Sequence, residues 1–298
     1  MGIENIHTMK LPEDISTVVR IALEEDIGDG DITAQLIHAE TNASANVVCR
    51  EPAVLCGTAW FNQTFKTLDE SCVVSWTKHD GDQIAANEVI CNLEGPARAL
   101  VTGERTALNL LQTLSGTATT TRRYVERLSG TNVVLLDTRK TIPGLRSVQK
   151  YAVLCGGGAN HRIGLFDGIL IKENHIAAAG SIDAAISRMR SQFPELPIEI
   201  EVESIAEVHT AIAAGADMLL LDNFSIEELQ AAVKLADGRV KLEASGGFEF
   251  AGIRAVAETG VDFVSVGALT KHLKAIDFSM RFHADTAAVD SPPHRPNE

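Results

Sequence analysis

From residue 132 onward the chain alternates between short apolar runs and longer stretches of helical spacing. The runs are Val133–Leu136, Ile169–Ile171, Ile198–Val202, Met218–Leu221, Val240–Leu242 and Phe263–Val266. Between them, Ser181 precedes Ile182, Ala185, Ile186 and Met189, an i, i+3, i+4, i+7 stripe that predicts a helix. Ser204 with Glu207, and Ser225 with Glu228, have capping-box spacing. Gly215 and Gly238 follow as stop signals. Strands and helices alternating at this length predict a parallel sheet wrapped by helices. Six strand units are countable, too few for a closed eight-stranded barrel, so the expectation is an α/β fold with an incomplete, open barrel.

The first third reads differently. Ile15, Val18, Val19 and Leu23 predict a helix within residues 11–26, and Gly28–Ala34 reads as a turn. Short Val- and Ile-rich runs follow at Ala45–Cys49, Val54–Cys56, Val73–Trp76 and Val89–Leu93, separated by Gly57, Gly81 and the turn His79–Asp82. This is strand and hairpin patterning. An N-terminal α+β sandwich domain is expected over residues 1–115 and the barrel over 116–271. Residues 272–298 either pack back onto the first domain or lack order, and the SPPHRPNE end is expected to lack it. Near the junction, Ala107, Leu108, Leu110, Leu111 and Leu114 give Glu104–Leu114 a broad apolar helix face. Arg105 then falls near the start of that helix, where the dipole disfavours a cation. An acid, a ligand or plain surface exposure would account for it.

Composition narrows the function. Forty Asp and Glu against 26 Lys and Arg give a net charge of −14, which argues against a nucleic-acid scaffold. Five cysteines without a CxxC pair fit a reduced, cytoplasmic protein without a zinc centre. The N-terminus has no apolar segment of signal-peptide type, and no run reaches membrane-spanning length. Against this acidic background, the stretch Asp137–His175 carries six cations (Arg139, Lys140, Arg146, Lys150, Arg162, Lys172) and three acids. They sit at strand ends and beside the glycine triplet Gly156–Gly158 rather than along one helix. That pattern predicts convergence on one cleft, and basic clefts focus anions.

Active sites of such barrels lie at the carboxyl ends of the strands. Those ends hold Thr138, Arg139 and Lys140, then Lys172, Glu201, Asp222, Glu243 with Ser245, and Gly267. Ser245-Gly246-Gly247 and Val266-Gly267-Ala268 are small-residue turns, each read as leading into a helix, where backbone N–H groups approach a phosphate. Glu201 and Asp222 suit Mg²⁺ beside phosphate oxygens, or a structural ion pair. Glu199 shares the face of Glu201, pointing deeper, and has to be paired or protonated there. Arg139 and Arg162 are the specificity candidates, because guanidinium forks grip carboxylates in pairs. His161 is either a second donor to the same ligand or a satisfied core histidine.

The motifs DTRKT (Asp137–Thr141), CGGGANHR (Cys155–Arg162) and IKENHI (Ile171–Ile176) resemble the signature of the quinolinate phosphoribosyltransferase family. The likeness extends upstream to GERTALNLLQTLSG and downstream to LLDNF, EASGG and SVGALTKH. It implies an irregular α/β barrel that transfers phosphoribose from phosphoribosyl pyrophosphate to quinolinate with loss of CO₂, in NAD biosynthesis. It also implies quinolinate held by Arg105, Arg139, His161, Arg162 and Lys172. Thr138, Lys140, Glu201, Asp222, Ser245–Gly247 and Val266–Ala268 are implied around the sugar phosphates. Lys140, Lys172, Glu201 and Asp222 are the implied catalytic groups, with Mg²⁺ on Glu201 and Asp222. The family implies a homodimer in which Arg105 reaches the partner's site. Rival readings are a sister enzyme acting on a monocarboxylate, a Schiff-base lyase using Lys172, and a non-catalytic binding protein.

Overall fold

The computed structural model describes residues 10–283. Two sheets share one long helix. The first sheet is antiparallel, ordered β12-β1-β5-β3, and built from β1 (Asn42–Cys49), β3 (Val73–Trp76), β5 (Val89–Pro96) and β12 (Phe278–His283). Helices α1 (Ile15–Ile27) and α2 (Thr58–Leu68) belong to this half, as does a small pair of β2 (Ala53–Val54) with β4 (Gln83–Ile84). The second sheet is parallel, ordered β6-β11-β10-β9-β8-β7. Its strands are β6 (Val134–Leu136), β7 (Ile169–Ile171), β8 (Ile198–Val202), β9 (Met218–Asp222), β10 (Lys241–Ser245) and β11 (Phe263–Ser265). The six runs legible in the sequence are these six strands.

Helices α4 (Arg146–Cys155), α5 (Glu173–Ala179), α6 (Ile182–Gln192), α7 (Ile205–Ala213), α8 (Ile226–Ala236) and α9 (Ile253–Ala257) connect the parallel strands, and α10 (Ala268–Lys271) follows the last of them on the way to β12. Ser181, Ser204 and Ser225 cap α6, α7 and α8 through their side-chain oxygens, and Glu228 completes a capping box at Ser225. Asp237, at φ 48°, rather than Gly238, takes the first left-handed position after α8.

The edge strands β6 and β7 are consecutive in the chain and do not pair, which leaves the barrel open. The segment after the glycine triplet patches the β6 edge: Ala159 N–H donates to Leu135 O (2.8 Å) and Asp137 N–H to Ala159 O (3.1 Å). The triplet makes that approach possible. A Cβ on Gly156 would lie 2.5 Å from Thr121 Cβ, and one on Gly158 2.9 Å from Thr121 Cγ2.

Helix α3 (Ala97–Arg127) is the spine of both halves. At 31 residues it is about 46 Å long. Its first turns pack Leu100, Ala107 and Leu108 into the antiparallel-sheet core, and Leu114 and Ala118 join α1, α2 and α4. Tyr124 reaches the core between barrel and helices. Residues 115 and 116 are therefore mid-helix. Strand β12 returns to pair with β1, Ala45 opposite Phe282. The SPPHRPNE end lies outside the described residues. Among the described residues no helix is long and apolar enough to cross a membrane, and all five cysteines are free thiols.

Candidate active site

The loop after β6 is anchored from below by a buried polar network. Asp137 Oδ1 accepts from Lys150 Nζ and from the His161 N–H (2.9 Å), while Oδ2 accepts from Asn160 Nδ2 (2.6 Å). Lys150 Nζ also donates to His161 O (2.8 Å). Burial pushes the Asp137 carboxyl up to about 6, against the opposing pull of Lys150. Gln149, fully buried, accepts from Ile142 N–H and donates to Thr270 O, both at 2.8 Å. Thr270 Oγ1 in turn donates to Lys140 O (2.8 Å). Thr138–Lys140 are thus fixed by α4 and α10. Sequence reasoning did not assign Gln149, Lys150 or Asn160 to the site; the only signal was their place inside the basic stretch.

Three groups gather at the strand ends. In the first, Lys140 lies across the Val266–Ala268 turn, since a Cβ on Gly267 would be 3.0 Å from Lys140 Cδ. In the second, Lys172 is ion-paired with Glu201. Asp222 stands beside them: burial first, then the Glu201 charge, raises its carboxyl pKa, while Lys172 and Lys140 pull it down. Asp222 and Ser245 are register partners, which brings in Ser245–Gly247. In the third, Arg162 sits close enough to Arg139 that burial and the Arg139 charge both lower its pKa. Arg139 Nε is buried without a hydrogen-bond partner among the described residues. Glu199 and Asp167 pull the Arg162 pKa the other way; neighbouring guanidinium forks are the groups that grip carboxylates in pairs.

Three sequence readings meet the geometry here. The first concerns His161, whose ring lines the barrel's cavity beside Arg162 and faces two glutamates. Its Nε2 lies 2.9 Å from Glu199 Oε2 and 3.4 Å from Glu243 Oε2, and its Nδ1 accepts from Arg162 N–H (2.7 Å). Burial favours the neutral ring, but the two carboxylates outweigh it and raise its pKa to about 10. Burial and the Glu243 charge raise Glu199 to about 7, against the pull of His161. Glu199 thus lies against both the His161 ring and Glu243.

The second, a correction, concerns Arg105. Helix α3 begins at Ala97, so Arg105 is in its third turn, exposed, and the dipole argument does not apply. The third concerns the Ser245–Gly247 turn, which does not open a helix. Residues Phe248–Gly252 intervene before α9, and α10, after the other turn, is a single turn of four residues. Backbone N–H groups of the turns themselves, without a long helix behind them, are what these loops offer an anion.

A cavity of about 1000 Å³ lies beneath this face, lined by Leu136, His161, Arg162, Glu199, Met218 and Phe263 and running toward the amino ends of the strands. It is the hollow left by the open barrel. The charged groups just described gather above it.

Comparison with known proteins agrees over both halves. Residues 31–115 match the quinolinate phosphoribosyl transferase N-terminal domain and residues 117–281 its C-terminal domain. The nicotinate-nucleotide pyrophosphorylase (carboxylating) of Mycobacterium leprae is 41% identical over 272 residues, covering 88% of this chain and 95% of that protein. The quinolinate phosphoribosyltransferase (decarboxylating) 1b of Nicotiana tabacum is 35% identical over 295 residues, covering 92% and 84%. Among solved structures, the nicotinate-nucleotide pyrophosphorylase of Francisella tularensis superposes with a TM-score of 0.90 at 49% identity, covering 92% of this chain and 98% of that one. NadC of Streptococcus pyogenes gives 0.89 at 38%, with the same coverage. With both domain families matched in order along one chain, this protein belongs to the quinolinate phosphoribosyltransferase family.

Proposed function

We propose that the chain transfers the phosphoribosyl group of phosphoribosyl pyrophosphate to the ring nitrogen of quinolinate, releasing pyrophosphate and CO₂ and leaving nicotinate mononucleotide for NAD synthesis. The observation that carries the acceptor assignment is the Arg139–Arg162 pair, two adjacent cations with a buried unpartnered guanidinium nitrogen. Quinolinate carries two neighbouring carboxylates, and one guanidinium for each is the matching receptor. Lys172 adds a third cation.

Thr138, Lys140, Ser245–Gly247 and Val266–Ala268 take the sugar phosphates in this reading. Glu201 and Asp222 are the residues to hold Mg²⁺. Their fit rests on two carboxylates close enough to feel each other's charge, the donor set that Mg²⁺ shares with phosphate oxygens. Mg²⁺ would supply neutralisation of the departing pyrophosphate charge. Glu201 and Asp222 also face the positive charge that builds on the sugar as the bond to pyrophosphate breaks, and preorganised carboxylates stabilise it electrostatically. No protein nucleophile is required. Once the pyridinium forms, the C2–carboxylate bond breaks, its electron pair is stabilised beside the cationic nitrogen, and a proton completes C2–H.

A homodimer in which Arg105 reaches the partner's site completes the proposal. Exposed apolar side chains support a covering partner: Ile32 and Leu36 are 88% and 89% exposed, and Leu165 and Phe166, in the loop after Arg162, 75% and 80%. Side chains of this size in such exposure mark interaction surfaces. Incubation with phosphoribosyl pyrophosphate, Mg²⁺ and either quinolinate or nicotinate tests the acceptor. Turnover of quinolinate alone is expected, and turnover of nicotinate alone would replace this proposal with its monocarboxylate sister.

A further inference from the structure

The segment after the Ser245–Gly247 turn is tied back to helix α3 by an aromatic side chain. Gly246 adopts φ 142°, and a Cβ there would lie 3.0 Å from Asn223 Oδ1. Asn223 N–H donates to Ser245 O (2.9 Å), which fixes the entry of the turn. Beyond Gly247 the chain runs without helix or strand to α9 at Ile253. Phe248 N–H closes back on Gly246 O (2.9 Å), and the Phe248 side chain packs against the barrel core. A turn whose backbone N–H groups receive a ligand binds more tightly when its shape is set beforehand. The outer limb of this loop therefore needs an anchor of its own.

That anchor is Phe250. Its ring meets Tyr124 edge to face, with centroids 5.1 Å apart and planes at 78°. The guanidinium carbons of Arg123 and Arg127 lie 5.5 Å and 5.9 Å from the Phe250 ring centroid. All three partners belong to the last turns of α3, where Tyr124 is buried and both arginines are exposed. Like charges four residues apart on a helix repel, and the negative face of an aromatic ring offsets that by attracting both. Phe250 keeps 37% of its surface exposed, so core burial alone does not hold it in place. Four residues on, Arg254 Nη1 donates to Ser129 O (2.6 Å), just past the end of α3. The loop is thus fixed at Asn223 and at Arg254, and Phe250 ties the stretch between them to the spine helix.

We propose that Phe250, seated on Arg123, Tyr124 and Arg127, is a positioning residue for the sugar-phosphate turn Ser245–Gly247. It touches no substrate and acts by holding the outer limb of the loop. This role rests on the proposed seating of a phosphate of phosphoribosyl pyrophosphate in that turn. It requires an aromatic ring, because an aliphatic side chain of similar size offers cations no negative face. Arg139 and Arg162 stand on other loops, after β6 and before β7, so the acceptor is held independently of Phe250.

The test is steady-state kinetics on wild type, Phe250→Ala, Phe250→Leu, Phe250→Tyr and the double variant Arg123→Gln with Arg127→Gln. KM for each substrate is measured with the other saturating, and calorimetric titration of phosphoribosyl pyrophosphate into the same proteins separates binding from chemistry. Phe250→Ala and Phe250→Leu should raise KM and Kd for phosphoribosyl pyrophosphate about five- to tenfold, the scale of lost ring–ring and ring–cation contacts. The double variant should move both in the same direction. KM for quinolinate should stay within about twofold, and Phe250→Tyr, which keeps the ring face, should stay near wild type. The Phe250 variants leave every charge in place, so a weaker general attraction for anions cannot produce their effect. Unchanged phosphoribosyl pyrophosphate affinity in Phe250→Ala or in the double variant overturns the proposal. So do equal losses for both substrates, Phe250→Leu behaving as wild type, or Phe250→Tyr as damaging as alanine. Wild type that binds no phosphoribosyl pyrophosphate overturns the phosphate assignment as well, which distinguishes the two failures.

Discussion

Asp137 shows how much the site's geometry depends on one side chain that never faces the cleft. It is fully buried, bonded to Lys150, Asn160 and the His161 backbone. Asp137→Asn turns an amide donor toward one of the donors from which the carboxylate now accepts and leaves it buried without a partner, a change that costs about 1–3 kcal/mol. That cost depends on pH with a definite sign. The folded-state pKa, about 6, is above the 3.8 of a free aspartate carboxyl, so between those values the native state binds the proton more tightly than the unfolded one. Stability gained from protonation is complete below the lower value and lost as pH rises through the upper, on the order of 3 kcal/mol in all. Asparagine does not titrate. The penalty of Asp137→Asn, from denaturant melts between about pH 4 and pH 7, should therefore shrink as pH rises; a penalty that grows contradicts the assignment. At the cleft itself, Arg139→Ala or Arg162→Ala should weaken quinolinate binding by about 2–5 kcal/mol, the cost of truncating one partner of a desolvated charge pair. Phosphoribosyl pyrophosphate binding should change far less. Calorimetry on each ligand checks this, and equal losses would move these arginines to the phosphate side.

The elements were legible in the sequence to different depths, for physical reasons. The barrel strands stood out because each is a buried apolar run bounded by polar residues, and their spacing left little freedom of assignment. Helix α2 was missed: Trp60, Phe61, Thr64 and Phe65 are buried, and aromatic and β-branched residues read as strand until tertiary packing overrides them. The start of α3 was set seven residues late because Ala97–Gly103 carries no cap and a glycine. The site's cations were legible from their positions at strand ends. The direction of His161 was not, since it depends on where two glutamates from other strands meet. Gly116 in α3 shows packing against propensity. Alanine there is about 1 kcal/mol better for an isolated helix, but its Cβ would lie 2.3 Å from Lys274 O, in backbone that leads into β12. Gly116→Ala should destabilise the protein by about 1–3 kcal/mol, the usual cost of overpacking. A variant more stable than wild type would show that the 272–277 segment yields.

At the scale of the whole molecule, an open barrel with its cationic face uncovered asks for a second body to exclude water. Arg105, exposed on α3, is the residue assigned to the partner's site. Arg105→Ala and Lys172→Ala should each be inactive. Mixed under conditions that exchange subunits, they should recover about a quarter of wild-type activity, because random pairing makes half the dimers mixed and each mixed dimer carries one intact site of two. A mixture as inactive as its parents, with exchange demonstrated, places Arg105 in its own subunit's chemistry. The claim beneath all of this is decarboxylating phosphoribosyl transfer. It is tested most directly with quinolinate labelled at the 2-carboxyl carbon, supplied with phosphoribosyl pyrophosphate and Mg²⁺. The account predicts labelled CO₂, pyrophosphate and nicotinate mononucleotide in equal amounts, with no label in the nucleotide. A nucleotide that keeps the label, or no CO₂ while phosphoribosyl pyrophosphate is consumed, would contradict it.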